Sequence, residues 1–84
     1  MKVYTLERHD YYEGSAIYGV FTTLEGAKQG AIKSFDRRTV NVTADTEWTE
    51  YRDKKGDSET QWTAGFGDTD INITEFEVQG DKCE

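Results

Sequence analysis

The chain is 84 residues long, which suffices for one small domain and is too short for two independent hydrophobic cores. Only 35% of its residues are hydrophobic, but 13% are aromatic, and aromatic side chains bury more area per residue than aliphatic ones. The formal net charge of −7 argues against direct binding of DNA or RNA, because that affinity depends on cationic contacts to phosphates. We expect one folded domain, residues 1–84, with a flexible tail at 80–84.

Cysteine content and hydropathy limit the cellular setting. The single cysteine, Cys83, excludes an intramolecular disulfide and a cysteine-based zinc site within this sequence. The sequence has no apolar run of the length found in signal peptides and none near the ~18 residues of a membrane span. These features predict a cytoplasmic protein that makes no contact with a membrane.

The first third of the sequence predicts a β-hairpin. Residues 2–12 are rich in strand-forming types, and their alternation places Tyr4 and Leu6 on the same face. A break with a turn-compatible glycine follows at 13–15, and strand-forming residues resume at 16–22. The two segments are therefore expected to pair in an antiparallel manner.

A helix is expected to follow this hairpin. Thr22, followed three residues later by Glu25, matches the capping box that marks the start of a helix. Gly26 and Gly30 each weaken an isolated helix by up to ~1 kcal/mol relative to alanine, so this helix must depend on packing against the sheet. Their small size would also let it lie close to that sheet. The apolar residues that recur at spacings of three and four are Leu24, Ala27, Ala31, Ile32 and Phe35.

The second half of the sequence predicts only β-strands, because the hydrophobic period changes to two after residue 38. The segments with this period are 40–42, 47–53, 58–65 and 71–78. Within the last segment the apolar residues change parity, which predicts a bulge or a twist near residues 74–75. The expected fold is α+β: an antiparallel sheet of about five strands with one α-helix packed on it, in the order β-β-α-β-β-β.

A tryptophan pair is predicted in the middle hairpin. Residues 53–57, DKKGD, fit a three-residue hairpin loop with glycine in the left-handed position. Counting back along both strands from this loop places Trp48 opposite Trp62. Such a cross-strand pair stabilises a hairpin by ~0.2 to 1 kcal/mol relative to an alanine pair.

Catalytic chemistry has little support in the sequence. His9 and Asp10 are a neighbouring base and acid, but adjacent side chains in a strand point to opposite faces. The chain has no nucleophile motif, and Cys83 has no histidine near it in sequence. The acids within 68–70, with Asp45, lack the loop pattern of a calcium site. We expect a non-enzymatic protein without catalytic residues, metal or cofactor.

Charge is distributed unevenly along the chain. Residues 1–42 hold five acids and six bases, whereas residues 43–84 hold twelve acids and four bases. A basic protein surface is an electrostatically favourable partner for the second half. The alternative is that these acids only keep a small domain soluble.

Aromatic residues extend this prediction to a binding surface, because their number exceeds what one side of a small sheet can bury. Tyrosine and tryptophan are favoured at interfaces. The rings considered are Tyr11, Tyr12, Tyr18, Trp48, Tyr51, Trp62 and Phe66. The predicted partner-binding residues are Glu47, Trp48, Glu50, Tyr51, Asp57, Glu59, Trp62, Asp68 and Asp70. The alternative is that the tryptophans belong to the core and the tyrosines are merely half-buried.

Two further modes of binding remain open from the sequence. A nucleotide-like small molecule held between aromatic rings would find its phosphate contacts in the basic cluster Lys28, Lys33, Arg37 and Arg38. A homodimer through an exposed sheet edge is also consistent with a chain that has no proline to block edge pairing.

Several segments resemble a type of short protein of unknown function found in phages and bacteria. The segments are KVYTLERHDYYEG, IYGVFTTLEGAKQGAI and INITEFEV. Proteins of this type begin with a VY-x-L strand, continue with a GVF strand that runs into an alanine-bearing helix, and end with an I-x-E-x-E strand. The resemblance covers about half of the chain and implies the same α+β fold; the middle hairpin with both tryptophans has no counterpart in it.

In size, acidity and lack of catalytic motifs, the chain is also similar to phage-encoded inhibitors of host defence, including anti-CRISPR and anti-restriction proteins. This resemblance is one of type, with no shared motif. It implies a protein that works in the host cytoplasm by occupying the basic surface of a defence or nucleic-acid-binding protein. Such a mechanism needs no cofactor.

Overall fold

The computed structural model describes residues 2–35, 38, 40–52 and 60–77. The elements along them are β1 (Lys2–Asp10), β2 (Gly14–Phe21), α1 (Leu24–Ser34), β3 (Thr49–Arg52), β4 (Thr60–Phe66) and β5 (Thr69–Glu77). The strands form one antiparallel sheet in the spatial order β2-β1-β5-β4-β3. The predicted α+β class and the order β-β-α-β-β-β are therefore confirmed. The expected tail at 80–84 lies outside the described residues.

The first hairpin joins β1 to β2, as the sequence predicts. Tyr4 pairs with Phe21 and Leu6 pairs with Gly19, so these residues share the face on which the helix packs. The register shifts beyond Leu6, because Tyr18 is an extra residue in β2. This β-bulge leaves the two strands paired on either side of it.

The central strand, β5, pairs with β1 on one side and β4 on the other. Its register with both neighbours is regular, with Ile73 opposite Leu6. Of the bulge or twist predicted near 74–75, the bulge is therefore wrong, because the pairing with β1 runs through Thr74 and Glu75 without a register shift. The parity change instead turns Phe76 to the face without the helix, where 37% of it is exposed. Val78, the other residue behind that prediction, lies outside the described residues.

The helix begins one residue later than predicted. Its N-cap is Thr23, whose hydroxyl accepts a hydrogen bond from the amide of Gly26 at 2.9 Å, so a cap at Thr22 is wrong. Thr23 has the extended backbone of a cap residue, which aims its hydroxyl at the free amides of the first turn. Ala27 and Ala31 are buried, as the predicted stripe requires. Among the described residues, no helix is long and apolar enough to cross a membrane.

The core lies between α1 and one face of the sheet. The segment 40–42, which the two-residue period groups with the strand-like segments, is irregular, and the amide of Val42 donates to the carbonyl of Val40 at 3.2 Å. Both valines are nevertheless buried, so their alternation reflects packing against the core and not pairing in a ladder. The buried apolar residues are Leu6, Ala27, Ala31, Phe35, Val40, Val42, Ala64, Ile71 and Ile73.

The middle hairpin has a register that differs from the predicted one by two residues. Trp62 pairs with Glu50, and β3 begins after Trp48, so the predicted tryptophan pair is wrong. The predicted loop, 53–57, lies outside the described residues. A shift of two leaves Trp48 and Trp62 on the same side of the sheet, because side chains alternate with a period of two. Its ring lies 6.1 Å from the ring of Tyr4, and both tryptophans pack against the core.

The helix approaches the sheet closely at the ring of Phe21. A Cβ atom on Gly30 would overlap the tip of this ring, and one on Gly19 would lie 2.9 Å from its Cε1 atom. The ring therefore fills space that a side chain at either position would need. The predicted role of a small residue in bringing the helix close to the sheet is confirmed at Gly30.

Replacing Gly30 with alanine should destabilise the protein, although alanine is the better helix former. Overpacking against the Phe21 ring costs ~1–3 kcal/mol, which outweighs a propensity gain of up to ~1 kcal/mol. Urea denaturation should therefore show a lower free energy of unfolding. The control is the same substitution in a Phe21→Leu background, where the overlap is removed and Gly30→Ala should be neutral or stabilising. Equal destabilisation in both backgrounds would contradict this packing explanation.

Candidate functional site

The residues predicted to bind a partner are divided between different surfaces. On the helix side of the sheet, Trp48 and Trp62 are half-buried against the core. Glu47 and Glu50 are exposed at the β3 edge, and Glu50 accepts a hydrogen bond from Nε of Arg52 at 2.6 Å. The tryptophans therefore present only part of their surface to a partner on this side.

The other predicted residues lie elsewhere. Tyr51 and Asp70 are exposed on the face of the sheet opposite the helix, and Asp68 lies in the turn between β4 and β5. Asp57 and Glu59 lie outside the described residues. The described residues of the predicted set therefore do not bring aromatic rings and acids together on one surface.

The face of the sheet opposite the helix, which we term the open face, has no element packed on it in the described part of the chain. Its described residues include two carboxylates, Glu7 and Asp70, and no lysine or arginine. Its exposed apolar residues lie mainly toward the outer strands and one end: Ile17, Val20, Tyr51 and Phe76.

Two turns meet at one end of the sheet and form the candidate site. The β1–β2 turn spans residues 11–13, and the β4–β5 turn spans residues 67–68. The amide of Tyr11 donates to the carbonyl of Asp68 at 2.9 Å, which joins the two turns. We term the resulting surface the hairpin-end surface. It surrounds a cavity of about 160 Å³ and consists of Arg8, Asp10, Tyr11, Tyr12, Glu13, Asp68 and Thr69.

Local backbone requirements explain both turns. Gly14, which follows the first turn, has a φ of 91°, and Gly67 in the second turn has a φ of 71°. Positive φ is accessible to glycine at little cost because it has no Cβ atom. These two glycines therefore allow the chain to reverse at the same end of the sheet.

The hairpin-end surface exposes two aromatic rings. Tyr11 is 74% exposed and Tyr12 is 82% exposed, so neither ring contributes much to the core. Their centroids are 4.8 Å apart in an edge-on arrangement. Exposed tyrosines bring a large contact area at low entropic cost, and the faces of their rings attract cations.

Carboxylates outnumber bases on this surface. Asp10, Glu13 and Asp68 are acidic, and Arg8 is the one base among the residues that line the cavity. Nε of Arg8 donates to Oδ1 of Asp10 at 3.2 Å, while its guanidinium carbon lies 5.9 Å from the ring centroid of Phe35. The arginine is thus held by groups of its own chain, which leaves a net negative charge for a partner.

Asp10 is the most strongly held acid of the hairpin-end surface. Its Oδ1 atom accepts a second hydrogen bond, from the hydroxyl of Thr69 at 2.6 Å. This bond, with the bond and charge of Arg8, lowers the pKa of Asp10 below its ordinary value. The carboxylate form of Asp10 is therefore the one that ties β1 to β5 at this end.

The neighbouring His9 does not form a dyad with Asp10. Its side chain lies on the open face, where Nδ1 is 2.6 Å from the hydroxyl oxygen of Ser15. Both groups are exposed. Within the described ranges, no group of three or more His, Cys, Asp or Glu residues is placed to bind a metal ion.

A second concave feature lies between α1 and the segment that precedes β3. This cleft has a volume of about 240 Å³, and its lining includes Lys28 and Trp48. The turn at 43–46 forms one wall and is fixed by a hydrogen bond of 2.8 Å from the amide of Thr43 to the hydroxyl of Thr46. Of the other predicted phosphate contacts, Lys33 is absent from the lining, Arg38 is exposed, and Arg37 lies outside the described residues.

The sequence pointed to the composition of the candidate site and missed its position. Tyr11 and Tyr12 were counted among the rings in excess of the core, and Asp68 was predicted to bind a partner. Glu13 and Asp10 were not singled out as partner-binding acids. A signal was present in the sequence, because two adjacent tyrosines beside a turn glycine cannot both face a core.

Stability should depend on the ionisation of Asp10. A carboxyl group whose pKa is lower in the folded state stabilises the protein above its unfolded pKa of about 3.9, and this contribution is lost as the pH falls further. Asp10→Asn should therefore lower the urea midpoint at neutral pH, and the difference from wild type should narrow below about pH 4. Thr69→Val should also lower the urea midpoint at neutral pH, but by less than Asp10→Asn, because it removes only the hydroxyl donor. Curves separated equally at every pH would contradict this assignment.

Comparison with protein-family models, curated proteins and solved structures found no match to this chain.

Proposed function

We propose that this protein is a non-catalytic binding protein that docks its hairpin-end surface against a basic protein surface. The observation that carries this proposal is the presence of two exposed tyrosine rings beside three carboxylates at one end of the sheet. A lysine or arginine of the partner would lie against Tyr11 or Tyr12 and pair with Glu13 or Asp68. Such a contact combines cation–π attraction with charge-assisted hydrogen bonds.

The charge of the whole chain supports the same kind of partner. A net charge of −7 on 84 residues steers a basic surface toward the protein and repels nucleic acid. Proteins that bind nucleic acid carry basic channels, which are surfaces of the kind that would attract this acidic chain. We therefore propose occlusion: the acidic end occupies a channel that would otherwise hold nucleic acid, as an inhibitor of a host defence protein would do. A phage origin and the host cytoplasm belong to this proposal.

The test is capture of the tagged protein's partner from lysate of its source cells, followed by binding measurements with paired variants. Tyr11→Ala with Tyr12→Ala should weaken binding by tenfold or more, because hot-spot tyrosines each contribute at least ~1–2 kcal/mol. Glu13→Lys with Asp68→Lys should abolish binding. In the wild type, binding should weaken as salt is raised, since exposed charges are screened.

The matched control reverses the charge of two acids in the set that the sequence predicts to bind a partner. Glu47→Lys with Glu50→Lys changes the net charge by the same amount but lies at the β3 edge. This pair should retain most of the affinity. If the control variant lost binding and the Glu13 and Asp68 variant kept it, the site would lie at β3. If both variants kept binding, the result would contradict an acidic docking surface.

The cleft beside α1 favours a second candidate function, the binding of a small nucleotide-like molecule. It combines an indole, Trp48, with a lysine, Lys28, which suits an aromatic ring with an attached anionic group. Its volume of about 240 Å³ is below the ~300–1,000 Å³ of typical ligand sites, so it would hold a base-sized group. Glu25 also lines the cleft and disfavours a highly charged phosphate chain.

Fluorescence of Trp48 tests this second function. The Trp62→Phe variant leaves Trp48 as the sole tryptophan, and titration with adenosine monophosphate should quench its emission and raise the melting temperature if the cleft is a binding site. Lys28→Gln should weaken this response. Lys33→Gln, on the same helix but outside the cleft lining, is the control and should not. An unchanged spectrum and melting temperature would contradict adenosine monophosphate binding in this cleft.

A further inference from the structure

The two edges of the sheet are protected to very different degrees. Edge strand β3 is four residues long and carries charges at Glu50 and Arg52. Edge strand β2 is eight residues long, and its sequence, GSAIYGVF, contains no charged residue. A long uncharged edge leaves a row of backbone donors and acceptors open to pairing with another strand.

Exposed apolar side chains lie along the same edge. Ile17 is 66% exposed and Val20 is 61% exposed, both on the open face, and Tyr18 is 45% exposed. The bulge at Tyr18 is the one device in β2 that disfavours edge pairing, because lysine, glutamate and proline are all absent from it. An edge of this composition is typical of a strand that is covered in the working protein.

We propose that a second copy of this chain covers this edge. The two β2 strands would pair in an antiparallel manner about a two-fold axis, giving one continuous ten-stranded sheet. On the open face, Ile17 and Val20 of each copy would lie near their counterparts and lose exposed apolar area. The proposal concerns β2 and is independent of the function assigned to the hairpin end.

Charge explains why a second copy fits this edge although each chain carries a net charge of −7. The nearest acid inward from Ile17 on the open face is its partner Glu7 on β1. In the dimer, the two Glu7 side chains would be three strand spacings apart, roughly 14 Å, which exceeds the Debye length of ~8 Å at physiological salt. An uncharged edge has no carboxylate to pair with a basic partner, whereas two acidic chains can associate through it with little electrostatic repulsion.

The geometry also predicts the arrangement of the two hairpin-end surfaces. β2 begins at Gly14 beside the β1–β2 turn, so antiparallel pairing places the turns of the two copies at opposite ends of the joined sheet. Dimerisation and binding to a basic partner should respond to salt in opposite directions. Raising the salt concentration should strengthen the dimer, because the remaining repulsion between the chains is screened, and should weaken binding to a basic partner.

Sedimentation velocity of the full chain over a range of concentrations tests the proposal. The wild type should shift from 9.6 kDa toward twice that mass as concentration rises, and more readily at higher salt. Ile17→Lys should keep the protein monomeric. Tyr51→Lys, which adds the same charge on the open face at the other edge, should dimerise like the wild type.

Three outcomes would overturn the proposal: a wild type that is monomeric at every concentration, an Ile17→Lys variant that dimerises normally, or a Tyr51→Lys variant that alone prevents dimerisation. Circular dichroism checks that each variant folds. Hydrogen exchange on the wild type gives a measurement that needs no variant. The amides of Gly14–Phe21 that point away from β1 should gain protection with concentration, and amides of Thr49–Arg52 should not. Concentration-independent exchange in β2 would also overturn it.

Discussion

A single helix of eleven residues packs on a sheet of five strands, and this mismatch in area determines most of the structure. The helix contacts β1, β2 and β5, so the apolar residues concentrate under it at Leu6, Ile71 and Ile73. Close contact is needed to seal so small a core, and Gly30 provides it by making room for the Phe21 ring. Val40 and Val42, in the irregular segment before β3, then pack on the part of the core that the helix does not cover.

Because the only described helix lies on one side, the other side and both edges of the sheet remain available for binding. The open face is polar at its centre, where threonine, asparagine and glutamine side chains occupy β1, β4 and β5. Its apolar residues lie toward the margins, on β2, β3 and one end. This distribution suits association at an edge more than burial of the whole face, because a central apolar patch is missing.

The hairpin-end surface combines rigid and exposed groups in a way that suits recognition. Asp10 accepts hydrogen bonds from Arg8 and Thr69 and so joins the ends of β1 and β5, while Tyr11 and Tyr12 are exposed to solvent beside it. The Asp10 carboxylate is therefore held in place, whereas Glu13 and Asp68 are exposed. The bonded acid contributes to stability, and the exposed acids remain free to attract a cation.

The order of the helix and strands follows from the sequence, because alternation in β1 and the alanine spacing of α1 are properties of residues close along the chain. The sequence also indicated that acids and aromatic rings would form a surface. The register of Trp62, the position of the bulge at Tyr18, and the burial of Val40 and Val42 depend on tertiary contacts. The hairpin-end surface also depends on such a contact, the hydrogen bond that joins Tyr11 to Asp68. Such contacts join residues far apart in sequence, and local periodicity carries no information about which distant partners will meet.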